Sequence, residues 1–190
     1  MTFRPARKTD AALLAEFVND AGHGMPLYLW SKLATSDEDP WAIGRARAAR
    51  EEGSFSYRNA TVIEEGGECA GCLIGYGIPA DPEPVAPDMP AMFVPLQELE
   101  NLAPATWYIN VLAVAPRFRN RGLGRKLIAL AEDTARIAAL GGCSLIVADD
   151  NLAARRLYER CGYRERASRP AVKEDWQTET ANWVLLAKEF

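Results

Sequence analysis

Apolar and polar positions along this chain change period several times, and each change predicts an element. Phe3 and Arg4 open a short strand, and Thr9 or Asp10 caps a helix whose apolar face is Leu13, Leu14, Phe17, Val18 and Ala21. Gly22-His23-Gly24 stops that helix. Residues 25–33 (MPLYLWSKL) predict a short second helix, and a third runs from about Trp41 to Glu52, closed by Gly53. Thr61-Val62-Ile63 and Cys72-Leu73-Ile74 flank Glu64-Glu65-Gly66-Gly67-Glu68, the pattern of a β-hairpin. Between Ile78 and Pro104 the periodicity fails. That segment holds seven of the twelve prolines with Asp81, Glu83 and Asp88, and at most a turn or two of helix at Leu96, Leu99 and Leu102. Its composition excludes a central strand and suits a lid, a substrate wall or an insertion without a role.

From Trp107 to Val114 the β-branched and aromatic run shows little alternation, as expected for a strand buried on both faces. Pro116 ends it, and from Leu123 the apolar positions take helical spacing through Leu127, Leu130, Thr134 and Ile137. Gly141-Gly142 closes the helix, and Ser144 to Ala148 reads as a second buried strand, completing a βαβ unit with a parallel strand pair. Asp149-Asp150-Asn151 caps a helix over Leu152–Cys161, Tyr163 opens a further strand, and Asn182–Ala187 predicts the last one. No repeat or linker divides the chain, so the expectation is a single domain over residues 1–190 with a Pro-rich insertion at about 78–104.

Composition narrows the function. With 190 residues, 48% hydrophobic and 25% charged, the chain can build one globular core. It contains no spanning-length apolar run and no apolar signal region at its start, so a cytoplasmic protein without membrane contact is expected. A net charge of −4 argues against nucleic acid as a partner. Against that acidic background, five of the 22 basic residues fall between Arg117 and Lys126. Cys69-x-x-Cys72 lies in a predicted strand, where residues three apart point to opposite faces, so burial is favoured over redox or zinc chemistry and no metal is expected. His23 is either a loop residue or a substrate contact.

Arg119 to Gly124 is where the strand turns into the helix. A helix start carries partial positive charge and unpaired N–H groups, so this loop is an anion seat suited to a polyphosphate. A P-loop would need Lys and a hydroxyl residue after its last glycine, and Arg125, Lys126 and Leu127 stand there instead. A dinucleotide fingerprint would place its third glycine at Leu127. The remaining pattern, Arg119-x-x-Gly122-x-Gly124 after a strand ending in Leu-Ala-Val, resembles the phosphate-binding signature of the GNAT family of acyl-CoA N-acyltransferases. Asn151 to Tyr163 (NLAARRLYERCGY) carries the second half of the resemblance.

The resemblance implies an α/β (α+β) acyl-CoA N-acyltransferase fold: a twisted mixed sheet of six or seven strands flanked by helices, splayed between the Trp107 and Ser144 strands. It implies acetyl-CoA as co-substrate. Backbone groups of Leu112, Ala113 and Val114 would hold the acyl group and pantetheine, and Arg119, Asn120, Arg121, Gly122, Leu123, Gly124 and Arg125 the pyrophosphate. Asn151 would contact coenzyme A, and Tyr158 would protonate the departing thiolate. Asn110 stands where many members carry a basic glutamate, and Ile146 where others do. An amide cannot take a proton near neutral pH, so Asn110 would orient an amine or a water while Asp149, Asp150, His23 or a loop acid serves as base. The expected activity is transfer of an acetyl group from acetyl-CoA to a small-molecule or peptidyl amine by direct attack on the thioester. A homodimer is compatible with this reading. The alternative, suggested by Asn110 and Ile146, is a non-catalytic acyl-CoA-binding or sensing domain of the same fold.

Overall fold

In the computed structural model, which describes residues 1–190, thirteen main elements follow one another: β1 (Thr2–Pro5), α1 (Ala11–Ala21), α2 (Met25–Leu33), α3 (Pro40–Ala48), β2 (Ala60–Glu65), β3 (Glu68–Gly77), α4 (Val94–Glu100), β4 (Trp107–Val114), α5 (Leu123–Ile137), β5 (Gly142–Ala148), α6 (Leu152–Arg160), β6 (Arg164–Pro170) and β7 (Asn182–Glu189). The strands form a mixed seven-stranded sheet in the order β1-β2-β3-β4-β5-β7-β6. β4 and β5 are parallel through Trp107↔Cys143 and Tyr108↔Ser144, while β1–β2, β2–β3, β5–β7 and β6–β7 are antiparallel. No helix is long and apolar enough to cross a membrane. The chain divides into two compact units, Met1–Gly75 with Asn110–Leu127, and Tyr76–Ile109 with Ile128–Phe190.

In the first unit, Leu14 and Phe17 of α1 pack on Val62, Cys72, Ile74, Val111 and Ala113, the inward positions of β2, β3 and β4. Arg4 ties β1 down, its Nη1 2.7 Å from Asp10 Oδ2 and its Nε 2.6 Å from Glu64 Oε1. Asp10 therefore spends its carboxylate on Arg4 and the Arg7 N–H instead of capping α1 through its side chain. Leu13, read from the sequence as part of the buried face, is exposed. α3 ends at Ala48, a turn earlier than its composition suggests.

β3 bulges at Ala70, where Ile63↔Gly71 is followed by Glu64↔Cys69. The bulge sends the Ala70 carbonyl to the Ala115 N–H at 2.9 Å. It also brings Gly71 so close to β4 that a Cβ there would lie 2.3 Å from the Ala113 oxygen. β4 is less uniformly buried than its composition predicts. Ile109, Val111 and Ala113 are buried, while Asn110, Leu112 and Val114 are half-exposed.

In the second unit, the Pro-rich segment is anchored at both ends. Ile78 N–H donates to the Thr106 carbonyl at 2.8 Å, and Ala105 N–H to Pro79 at 3.2 Å. The Thr106 hydroxyl donates to the Ala103 carbonyl at 2.7 Å, so the buried Ser144 hydroxyl, 2.7 Å away, supplies the proton of their mutual bond. Inside the segment Asn101 grips the Glu83 backbone on both its N–H (3.2 Å) and its carbonyl (2.7 Å). The Leu96–Leu99 spacing becomes α4, which packs on β5, β6 and β7 with Leu99 buried. In α5 Ile128, Ala131 and Ala135 are buried, whereas Ile137 is exposed.

Candidate functional site

The loop between β4 and α5 owes its shape to two left-handed residues, Asn120 at φ 61° and Gly122 at φ 79°. Asparagine tolerates this region better than most residues, and glycine enters it without strain. Only Phe118 of the loop is buried, and it anchors the exposed turn. The guanidiniums of Arg117 and Arg121 lie 5.0 and 5.4 Å from its ring centroid. Both reach the β2–β3 hairpin, Arg117 pairing with Glu68 and Arg121 with Glu65 at 3.3 Å. Arg119 turns back, its Nε donating to the Val114 carbonyl at 3.1 Å.

Three arginines are thus committed to shaping the loop. The bond from Lys126 N–H to the Gly122 carbonyl (3.2 Å) opens α5, so the N–H groups of the preceding residues stand at a helix start with no intrahelical acceptor. Unpaired N–H groups at a helix start are the kind of donor that an anion takes up.

In the second unit, Asn151 caps α6, its Oδ1 accepting from the Ala154 N–H at 3.1 Å. Tyr158 lies two turns along the same helix, on nearly the same face. It is buried, and the buried Tyr163 ring braces it at 5.8 Å. Burial pushes the Tyr158 phenol upward, with a smaller contribution from Cys161, so it is held protonated.

Asp149 and Asp150 are part of the β5–α6 junction. Asp149 accepts from Ala181 N–H at 3.0 Å and Asn182 Nδ2 at 2.9 Å, and Asp150 Oδ1 accepts from the Thr180 hydroxyl at 3.0 Å. Partial burial alone would raise Asp149, but the bonds from Asn182, Ala181 and Asp150 outweigh it and hold the carboxyl below its usual range. Cys69 and Cys72 both lie on β3 as free thiols, and burial raises each.

The structure also assembles a cluster that no sequence spacing announces. Glu100 closes α4, and Tyr76 at the end of β3 donates its phenolic proton to Glu100 Oε2 at 3.3 Å. The Tyr76 ring lies 5.4 Å from that of Tyr108 on β4. Tyr108 is buried within electrostatic reach of Glu100, Tyr76 and Tyr158. Burial lifts the Glu100 carboxyl to about 7 against the pull of the Tyr76 hydrogen bond, with Glu83 adding to the rise. The helix C-terminus disfavours a negative charge in the same direction. The only trace of this in the sequence is the leucine spacing that places Glu100 on a helix.

The model of the Acetyltransferase (GNAT) family matches residues 25–163. No curated protein matches the chain. Among solved structures, an acetyltransferase covers 100% of this chain and 99% of its own length at 22% identity, with a TM-score of 0.68. An N-acetyltransferase from Staphylococcus aureus Mu50 covers 99% of this chain and 100% of its own at 16% identity and a TM-score of 0.66. A GNAT family acetyltransferase from Elizabethkingia anophelis with acetyl-CoA bound covers 69% of this chain and 75% of its own at 19% identity and a TM-score of 0.52. At these identities the likeness is one of fold.

Proposed function

The chain belongs to the acetyltransferase (GNAT) family, and on that premise we propose that it transfers the acetyl group of acetyl-CoA directly to the neutral nitrogen of a small-molecule or peptidyl amine. The observation that carries this reading is the β4–α5 turn, where left-handed Gly122 stands just before α5 with nothing within 4 Å of where its Cβ would lie. The N–H groups over Asn120–Arg125 supply donors for a pyrophosphate. Arg119 serves indirectly, by holding the loop to Val114.

The backbone of Leu112, Ala113 and Val114 on β4 would receive the pantetheine and acyl group, with a strand N–H polarising the thioester carbonyl. Asn151 would contact coenzyme A from the start of α6. Asn110 would orient the amine or a water, since an amide can donate and accept but does not take up a proton.

Tyr158 would give its proton to the departing sulfur. A phenol raised by burial is a loaded but reluctant acid in water. The developing thiolate loses hydration in the same surroundings, which raises the basicity of the sulfur and narrows the gap. No cysteine is assigned a covalent step, and attack by the amine is direct.

The test is ligand-induced stabilisation. Acetyl-CoA should raise the melting temperature by mass action, while NAD and ATP should not. Equal stabilisation by NAD would return the loop to a dinucleotide-binding role.

A further inference from the structure

We infer that Glu65 and Glu68, the two carboxylates that close the β2–β3 hairpin, are positioning residues for coenzyme binding and act through Arg121 and Arg117 on the β4–α5 turn. The inference rests on the acetyltransferase reading above, which assigns the N–H groups of that turn to the pyrophosphate. It begins with a pairing that the hairpin alone does not favour. Gly66 and Gly67, at φ 64° and 82°, make the two-residue turn, and Glu65 and Glu68 stand directly opposite each other as its closing pair. Like charges facing across two strands repel. Relief comes from another element: Arg121 Nη1 donates to Glu65 Oε2 at 3.3 Å, and Arg117 pairs with Glu68. The arginines carry the mirror problem, since both guanidiniums lie over one ring, that of Phe118, at 5.0 and 5.4 Å. Two repelling pairs are thereby joined into one neutral group of four charges.

The turn is held from inside at its two ends, where Phe118 and Leu123 are buried, and the four residues between them are exposed. Two of those four carry side-chain ties, Arg119 to the Val114 carbonyl and Arg121 to Glu65. Asn120 stands between them at φ 61°, a conformation that even asparagine adopts at some cost, so the tie on the next residue helps to decide whether the turn keeps it. The hairpin is a firm support for that tie. The Ala70 carbonyl of β3 accepts from the Ala115 N–H at 2.9 Å, which fixes the strand to the end of β4 just ahead of the turn.

Positioning and direct attraction predict opposite signs. If the arginines served the phosphates themselves, the glutamates would compete for them, and removing the carboxylates would tighten binding. As positioning groups, their removal loosens the turn and weakens binding. A single exposed ion pair is weak, and two that share a ring are expected to change affinity on the order of ten-fold without loss of the fold.

The experiment measures acetyl-CoA binding by isothermal titration calorimetry for wild type, Glu65→Gln/Glu68→Gln, Arg121→Glu and the exchanged pair Glu65→Arg/Arg121→Glu. The double glutamine variant should bind on the order of ten-fold more weakly than wild type. Arg121→Glu should also bind more weakly, and the exchanged pair should recover to within a few-fold of wild type, because the tie is restored with its charges reversed. The exchanged pair decides the matter by itself if the glutamine variant fails to fold. Equal or tighter binding by the glutamine variant, or an exchanged pair as weak as Arg121→Glu, overturns the inference while leaving coenzyme binding intact. A wild type that does not bind acetyl-CoA overturns the acetyltransferase reading itself.

Discussion

The phenolic hydroxyl of Tyr76 donates to Glu100 Oε2 at 3.3 Å, and this is the hydrogen bond that opposes the burial of the carboxylate. Tyr76→Phe keeps the ring beside Tyr108 and removes the donor. The Glu100 carboxyl should then rise above 7. The side-chain carboxyl titration, followed by carbon-13 NMR, should move to higher pH, with acetyl-CoA affinity unchanged. An unmoved titration would contradict the part assigned to the Tyr76 hydroxyl.

Glu100 also makes stability depend on pH with a sign that can be worked out. Its folded value, about 7, lies above its ordinary value of 4.5, so the folded state binds its proton more tightly than the unfolded chain does. Stability from this group is full below pH 4.5 and is lost as pH rises through 7. Glu100→Gln is neutral throughout, so it should match wild type near pH 4 and exceed it at pH 8 by on the order of 2 kcal/mol. Denaturant unfolding at the two pH values measures the difference. A constant difference would contradict the assigned environment.

Tyr158→Phe should keep the ring contact with Tyr163 and lose the proton donor. The expected result is acetyl-CoA affinity within a few-fold of wild type and kcat lower by about 10²-fold. Normal turnover would reduce Tyr158 to a packing residue.

Gly122→Asp combines two effects: a Cβ at φ 79° strains the turn, and a carboxylate faces the place assigned to phosphate. Stabilisation by acetyl-CoA should vanish. Gly122→Ala, which strains without adding charge, should weaken it less. Equal stabilisation of all three proteins would remove the loop from the binding site.

How far the sequence could be read depended on the range of the contacts involved. The β4–turn–α5 unit was legible because its causes are local: a β-branched run, a proline, glycines at the turn and a change to helical period. The Asn151 cap and the Asn151–Tyr158 spacing were legible for the same reason. The outward turn of Leu13 and Ile137 was not, because helical spacing gives a stripe but not which edge of it meets the sheet. Nor was the half-exposure of β4, which follows from strand alternation that its uniformly apolar composition hides. Glu100 escaped because its hydrogen-bond partner, Tyr76, lies 24 positions before it on another element and is brought to it only by the fold.

The central claim, acetyl transfer to an amine, is tested most directly by product formation. Wild-type protein would be incubated with acetyl-CoA and a panel of primary amines spanning pKa values from below 8 to above 10, and both thiol and acetylated amine would be quantified. The account predicts thiol released one for one with amide for at least one amine, and loss of both products in Gly122→Asp. Acetyl-CoA binding with no amide from any amine, or thiol release without amide, would contradict it.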